Sequence, residues 1–295
     1  MSDRVVVSGA SGLLGSALVS SLRADGVEVT TLVRRPPSAP SEVQWAPGES
    51  ALDPELLSGA RAVIALGGAS VGRLPWTARY RRELVESRLS STRTLTDAVL
   101  ALRGDAPTLL SASAVGYYGT APGQTLTEAS PAGSTFLAEL CVRWEAEARR
   151  AEEHARVALL RTAPVIHRQG VLKPLVLLAR LGLAGPLGPG TQVWPWISLD
   201  DEVRAIRHVL DAGLSGPVNL AGPTPATATE TGRALSRRLR RPFLVPAPSW
   251  ALRLGLGAAA DSLLLPDADV RPQALQNSGF AFRHTTVQDA VDAAL

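Results

Sequence analysis

Residues Val5 to Gly15 read Val-Val-Val-Ser-Gly-Ala-Ser-Gly-Leu-Leu-Gly. The β-branched run predicts a strand over Arg4–Ser8. Three glycines follow it, Gly9, Gly12 and Gly15, and the apolar spacing from Leu13 to Ala24 predicts an amphipathic helix. Strand, glycine turn and helix in that order bring a helix N-terminus, with its unpaired N–H groups, to a phosphate. One glycine allows the tight turn, one lets the backbone approach a pyrophosphate, and one lets helix pack on strand. The first gap is one residue longer than in the commonest dinucleotide fingerprint. Gly9, Ser11, Gly12, Leu13, Leu14 and Gly15 are the candidate nucleotide contacts. The competing reading is a loop kept for packing alone.

Outward from that loop, strand and helix signals alternate. Strands are expected at Val27–Val33, Ala62–Leu66, Thr108–Ser111 and Val157–Arg161, with helices at Ala78–Leu102 and Phe136–His154. Such alternation predicts an α/β fold, a Rossmann-type doubly wound parallel sheet. The character changes after Thr162. A Gly/Pro-rich loop spans 182–190, Trp194–Ser198 reads as a short strand, and Asp200 is expected to cap a helix running to about Ala212. The expected division is a dinucleotide-binding unit over 1–163, completed by sheet segments from about 191–222. A smaller mixed region over 164–295, mainly helical from 226, is expected to cover the substrate cleft.

An acid at the end of the second strand would favour NAD by holding the ribose 2′-hydroxyl. Here Val33 leads into Arg34 and Arg35, and the next acid is Glu42. Two guanidiniums suit a 2′-phosphate, so NADP is the expected cofactor. The alternative is that they merely end an exposed strand. After the Ala62 strand, Leu66, Gly67 and Gly68 offer small or backbone surface where the cofactor's ribose would pass.

The chain has 295 residues and a formal net charge of +3. A single cysteine, Cys141, excludes an internal disulfide and a cysteine metal cluster. His154, His167, His208 and His284 show no metal-ligand spacing. Arg237-Arg238-Leu239-Arg240-Arg241 is the one dense basic run. It has no interleaved aromatics and reads as a solvated helix end, not a nucleic-acid surface. No apolar run reaches the length of a bilayer span, and because Met1–Arg4 leads directly into the first strand, no signal peptide is expected. A cytoplasmic protein with neither nucleic-acid nor membrane partner is expected, as monomer or homodimer.

Together these motifs resemble an atypical branch of the extended short-chain dehydrogenases. That branch is the epimerase family similar to nucleoside-diphosphate-sugar epimerases, with a C-terminal domain of unknown function. The resemblance runs essentially end to end. It rests on Gly9–Gly15, Glu86-Ser87-Arg88 with Ser91-Thr92-Arg93, the run from Ser111 to Gly119, Phe136–Cys141 with Trp144-Glu145, and Leu160-Arg161-Thr162. It continues through Leu181–Leu183, Gly185–Gly188, Trp196-Ile197 and Gly279-Phe280 with Phe282. It implies NADP binding, an unknown small carbonyl or sugar-nucleotide-like substrate, and a cofactor-binding role for Arg88, Arg161 and Thr162.

The catalytic Tyr-x-x-x-Lys pair of such dehydrogenases is absent. The tyrosines are Tyr80, Tyr117 and Tyr118, and Lys173 is the sole lysine. Leu137 and Cys141 occupy the two places in the family frame. The expected catalytic residues are therefore Ser113, as orienter of a carbonyl, and Tyr117, as proton donor, both facing the cleft. A strand-end serine bonded to backbone and a packed aromatic are the alternatives. Arg88 could replace the missing lysine as a fixed charge. Two functions follow: an NADP-dependent oxidoreductase or epimerase favouring reduction, or a non-catalytic NADP(H) sensor or scaffold.

Overall fold

The computed structural model describes residues 3–295. Seven strands form the central sheet. Counting through the chain, they are β1 (Arg4–Ser8), β2 (Glu28–Val33), β3 (Glu42–Gln44), β4 (Ala62–Ala65), β5 (Thr108–Ala114), β7 (Val157–Thr162) and β10 (Gly216–Leu220). The numbers between belong to short strands: β6 (Thr125–Leu126), β8 (Val165–Ile166), β9 (Ile197–Ser198) and β11 (Asp269–Val270). The main sheet runs β10-β7-β5-β4-β1-β2-β3, and its pairings are parallel. Strand order reverses between β1 and β4, which opens a crevice at the carboxyl ends of those two strands. In an open α/β sheet that crevice is where ligands bind.

Helices cover both faces. They are α1 (Leu13–Ala24), α2 (Ala78–Ala101), α3 (Phe136–Arg149), α4 (Leu172–Arg180), α5 (Leu199–Asp211), α6 (Ala228–Leu239), α7 (Ser249–Leu256), α8 (Ala258–Leu263), α9 (Gln273–Asn277) and α10 (Val287–Ala294). One core lies between the sheet, α1 and α5, with Val5, Val7, Leu18, Ile64 and Ile206 buried in it. A second lies on the other face beneath α2 and α3, built on Val6, Val63, Leu95 and Leu159. Val5, Val6 and Val7 thus alternate between two buried faces, so a parallel strand reads as an unbroken apolar run. A further core of Trp196, Leu235, Val287 and Val291 joins α6 and α10.

The β10 strand comes from the later part of the chain and pairs with β7 from Gly216↔Ala158 to Leu220↔Thr162. Two expectations move. The helix starting near Asp200 is capped by Ser198, whose hydroxyl accepts from the Asp201 N–H, and Asp200 lies inside the first turn. The helix from Phe136 ends at Arg149, and a 3₁₀ turn continues to Glu153. The run from Arg237 closes α6, with Arg240 in the left-handed cap position at φ 53°.

Candidate functional site

The three glycines of the first loop have three different surroundings. Gly9 sits at φ +77°, and a Cβ there would come within 2.7 Å of the Leu66 carbonyl carbon. It brings the end of β1 against the end of β4. A Cβ on Gly15 would lie 2.2 Å from the Gly9 oxygen, so this glycine lets α1 pack on its own loop. A Cβ on Gly12 would approach only the Gly9 oxygen, at 3.4 Å, and would otherwise project into open space. That open space lies in front of the α1 N-terminus. Gly12 is the N-cap there and supplies no side-chain bond to the first N–H groups, and no acid occupies the first turn. Unsatisfied donors, a positive dipole end and room beside them make an anion cradle. These residues fit a dinucleotide pyrophosphate. Ser11 is exposed beside Gly12, while Leu13 and Leu14 are half-buried, Leu14 against the sheet core.

At the end of β2, Val33 is half-buried and Arg34 and Arg35 are exposed. The two arginines differ. Arg35 forks onto Glu42, its Nη2 2.6 Å from Oε1 and its Nη1 2.8 Å from Oε2. Those bonds hold the Glu42 carboxyl down at about 2. Arg34 has no side-chain partner among the described residues. Of the two guanidiniums expected to face a 2′-phosphate, one is thus engaged by Glu42. Because the Arg35–Glu42 pair is solvent-exposed, it is weak enough for a phosphate to displace.

Across the crevice, the 66–68 turn lies under α2. The Ala69 N–H donates to the Ser87 hydroxyl, and a Cβ on Gly68 would touch Arg88 Cγ and Cζ at 3.2 Å. The Arg88 guanidinium is thereby folded against the turn. It donates to the Leu84 carbonyl and stacks 5.2 Å from the Trp144 ring. Burial pushes its pKa down, with the neighbouring Cys141 and Tyr80 acting the other way. No carboxylate pairs with it among the described residues. Cys141, on α3, donates weakly to the Ala114 carbonyl, and burial pushes its thiol up to about 11. Leu137, Cys141 and Glu145 follow at four-residue spacing and so share one face of α3.

That face leads into a buried polar network. Ser113 donates to Glu145 Oε1 at 2.7 Å. Arg161 reaches the same carboxylate from Nε at 2.8 Å and from Nη2 at 2.9 Å, and its Nη1 donates to the Tyr118 hydroxyl. Tyr118 in turn donates to Asn219 Oδ1. Burial pushes the Tyr118 hydroxyl up to about 12. Burial is the largest influence on Arg161 and opposes its charge, but the hydrogen bonds and attraction of Glu145 and Tyr118 together raise its pKa. Two expectations change here. Arg161 was expected to contact the cofactor, yet it is 2% exposed and wholly engaged inside. Ser113 was expected to orient a carbonyl, yet its proton is committed to Glu145.

Tyr117 is half-buried, and its ring lies under the Arg161 guanidinium and edge-on to Tyr118. Its hydroxyl has no hydrogen-bond partner among the described residues. Thr162, at the end of β7, donates to Glu202 Oε1 at 2.8 Å. Glu202 is fully buried, its other oxygen is unpartnered, and burial raises its pKa to about 8 against the lowering effect of Thr162. Neither Glu145 nor Glu202 is recognisable from sequence as part of a site. Each is one acid on an amphipathic helix until the fold buries it.

Asp200, Asp201 and His284 also converge. The Asp201 oxygens, however, already accept from Ser198, Arg204 and the backbone N–H groups of Arg283 and His284. The cluster is a clasp between α5 and the C-terminal segment.

Fold, glycine loop and crevice define a nucleotide-binding protein of the extended short-chain dehydrogenase type. The chain belongs to the NAD dependent epimerase/dehydratase family, whose model matches residues 5–221; a domain of unknown function, DUF1731, matches residues 247–294. It is 41% identical over 290 residues to the epimerase family protein MT2273 of Mycobacterium tuberculosis, covering 97% of this chain and 96% of that one. The crystal structure of the human epimerase family protein SDR39U1 (isoform 2) with NADPH is similar at a TM-score of 0.88 and 28% identity, over 99% of this chain and 98% of that one. A nucleoside-diphosphate sugar epimerase from Corynebacterium glutamicum matches with TM-score 0.78 and 30% identity, over 99% of this chain and 58% of the longer one.

Proposed function

We propose that this chain is an NADP(H)-dependent oxidoreductase or epimerase acting on a small carbonyl or sugar-nucleotide-like substrate, with its acid–base groups rearranged. The observation that carries this reading is the open space in front of Gly12 at an uncapped helix N-terminus. The human relative crystallised with NADPH supports the cofactor. Bound there, the nicotinamide would supply or accept hydride.

The chain's own residues divide the remaining work. Gly9, Ser11, Gly12 and the N–H groups of Leu13, Leu14 and Gly15 receive the pyrophosphate. Val33 and Arg34 receive the adenosine ribose and its 2′-phosphate, with Arg35 joining when it leaves Glu42. Leu66, Gly67 and Gly68 line the cofactor's path. Arg88 stands beside Cys141, at the place of the missing lysine, as a fixed positive charge. It orients ligand oxygens but holds its proton. Thr162 closes the strand ends beside the crevice.

The Tyr117 hydroxyl is the group left to give a proton to a developing alkoxide. A phenol hydroxyl in this position serves as a proton donor, so reduction is the favoured direction. Ser113 supports the site from behind by fixing Glu145. The non-catalytic reading, a sensor or scaffold, is favoured by one observation. The α3 face carries a leucine and an un-ionised thiol where an ionisable pair would work. Loading the purified protein with NADPH and following its absorbance against a panel of aldehydes, ketones and nucleotide sugars separates the two. Oxidation of NADPH with any of them supports the enzyme. Tight binding with no absorbance change, and with no epimerised sugar formed when the protein is loaded with oxidised NADP, supports the sensor.

A further inference from the structure

One face of the molecule combines exposed apolar side chains with positive charge, and its α7–α8 part borders the crevice, Leu256 and Ala259 sharing a cluster with Leu137 and Ala69. Trp250 is 69% exposed and Leu254 83% exposed, four residues apart on the same side of α7, a helix with no buried residue. Leu244 is 77% exposed. The 244–247 segment runs beside the end of α4: Leu244 and Val245 both donate to the Ala184 carbonyl, and Ala247 bridges Leu187. Leu177, in the last turn of α4, and Leu181 and Leu183 just beyond it are exposed as well. Soluble surfaces carry scattered single leucines, but a contiguous patch marks an interaction site.

The charge around it is mostly positive, with Asp261 paired to Arg253 and Asp292 set against Arg238. Residues 154–199 contain no acid, and neither do residues 231–260. Arg168, Lys173 and Arg180 line an open recess of about 430 Å³ whose apolar wall includes Leu177 and Leu239. Arg240 and Arg241 follow Leu239 directly. None of these five cations has a carboxylate partner among the described residues.

We propose that this face seats on an anionic phospholipid bilayer. Trp250 and Leu254 enter the interfacial zone, and lipid phosphates are received at the recess of Arg168, Lys173 and Arg180. Trp and Leu beside arginines and a lysine are the composition of a surface that lies on a membrane without crossing it. A second copy fits poorly, because a two-fold contact would set each cation row near its own image. The expected absence of a membrane partner rested on the lack of a spanning segment. No helix among the described residues is long and apolar enough to span, but that bears on crossing a bilayer and not on resting against one.

The test is flotation of the full chain with mixed phosphatidylcholine–phosphatidylglycerol vesicles against phosphatidylcholine alone. Binding to the mixed vesicles only, weakening as salt rises, is expected. Arg168→Gln with Lys173→Gln and Arg180→Gln should lower the partition coefficient on the order of a hundredfold. Trp250→Ser with Leu254→Ser should lower it about tenfold or more. Both variants should keep the wild-type melting temperature and NADPH affinity. Equal behaviour on the two vesicle types, or binding indifferent to both variants, overturns the proposal. Release by millimolar inorganic phosphate overturns it in favour of a free-phosphate site. A wild-type dimer that Trp250→Ser with Leu254→Ser turns into a monomer overturns it in favour of self-association.

Discussion

The Arg161 guanidinium carbon lies 3.5 Å from the centroid of the Tyr117 ring. One residue thus ties a buried carboxylate to the aromatic ring whose hydroxyl is free for a ligand. Face-on stacking of the guanidinium fixes the ring, and the Tyr117 hydroxyl makes no hydrogen bond among the described residues.

Removing only that hydroxyl should keep the packing. Tyr117→Phe is expected to melt within about 1 kcal/mol of the parent and to bind NADPH normally. Any NADPH-dependent reduction should fall by about 10²-fold or more, the usual worth of a positioned proton donor. Steady-state kinetics with calorimetry would check it, and full activity in this variant would remove Tyr117 from the mechanism. Arg161→Ala is expected to do something different. It strands Glu145 as a buried charge and should cost about 3–5 kcal/mol of stability, read by denaturant unfolding.

Two glycines three residues apart should separate in effect. Gly12→Val puts its side chain into the open cradle, so nucleotide binding should vanish while far-UV dichroism and melting stay near wild type. Gly15→Ala puts a methyl 2.2 Å from the Gly9 oxygen, so it should lower stability by about 1–3 kcal/mol through overpacking. Nucleotide titration beside thermal melts distinguishes them. Retained binding in Gly12→Val would assign that glycine to packing.

Cofactor preference should rest unequally on the two arginines. Charged hydrogen bonds are worth about 1.5–3 kcal/mol, so NADPH should bind at least about tenfold more tightly than NADH. Arg34→Ala should remove most of that margin. Arg35→Ala should remove less, because in the unliganded protein Arg35 must first leave Glu42. Calorimetric titration of the four combinations gives the answer, and a preference that survives the double substitution would place the discriminating contact elsewhere.

Glu202 predicts a pH dependence of stability. Its folded pKa, about 8, lies above an ordinary carboxyl's 4.5. Above pH 4.5 the unfolded chain therefore releases a proton that the folded chain retains. Stability falls as pH climbs from about 4.5 to about 8 and then levels off. Glu202→Gln keeps a neutral side chain of the same shape and removes that slope. The variant should match the parent near pH 4 and exceed it by a few kcal/mol near pH 8. Parallel curves across that range would show that Glu202 titrates normally.

The dinucleotide loop was legible because its information is local. Gly9, Gly12 and Gly15 are spaced so that turn, approach and packing follow from backbone sterics alone, and the alternation of apolar runs predicts a parallel sheet from periodicity. Arg34 and Arg35 were legible as a pair of charges at a strand end, but not as one free and one held by Glu42, since β3 is three residues long and gives little pattern. The missing Tyr-x-x-x-Lys pair was equally visible, being a spacing on one helix.

What sequence alone determined about this protein is therefore its fold class, its strand–glycine turn–helix loop and the absence of the usual tyrosine–lysine pair. Only the tertiary structure decided what stands behind that gap. Ser113 meets Glu145 across 32 residues and Tyr118 meets Asn219 across 101, and the fold turns Arg161 inward to join them. No local rule selects such partners. A buried charge has to find its counterion and its hydrogen bonds wherever the folded chain brings them, so the identity of each partner exists only once helix α3, strand β7 and strand β10 lie side by side.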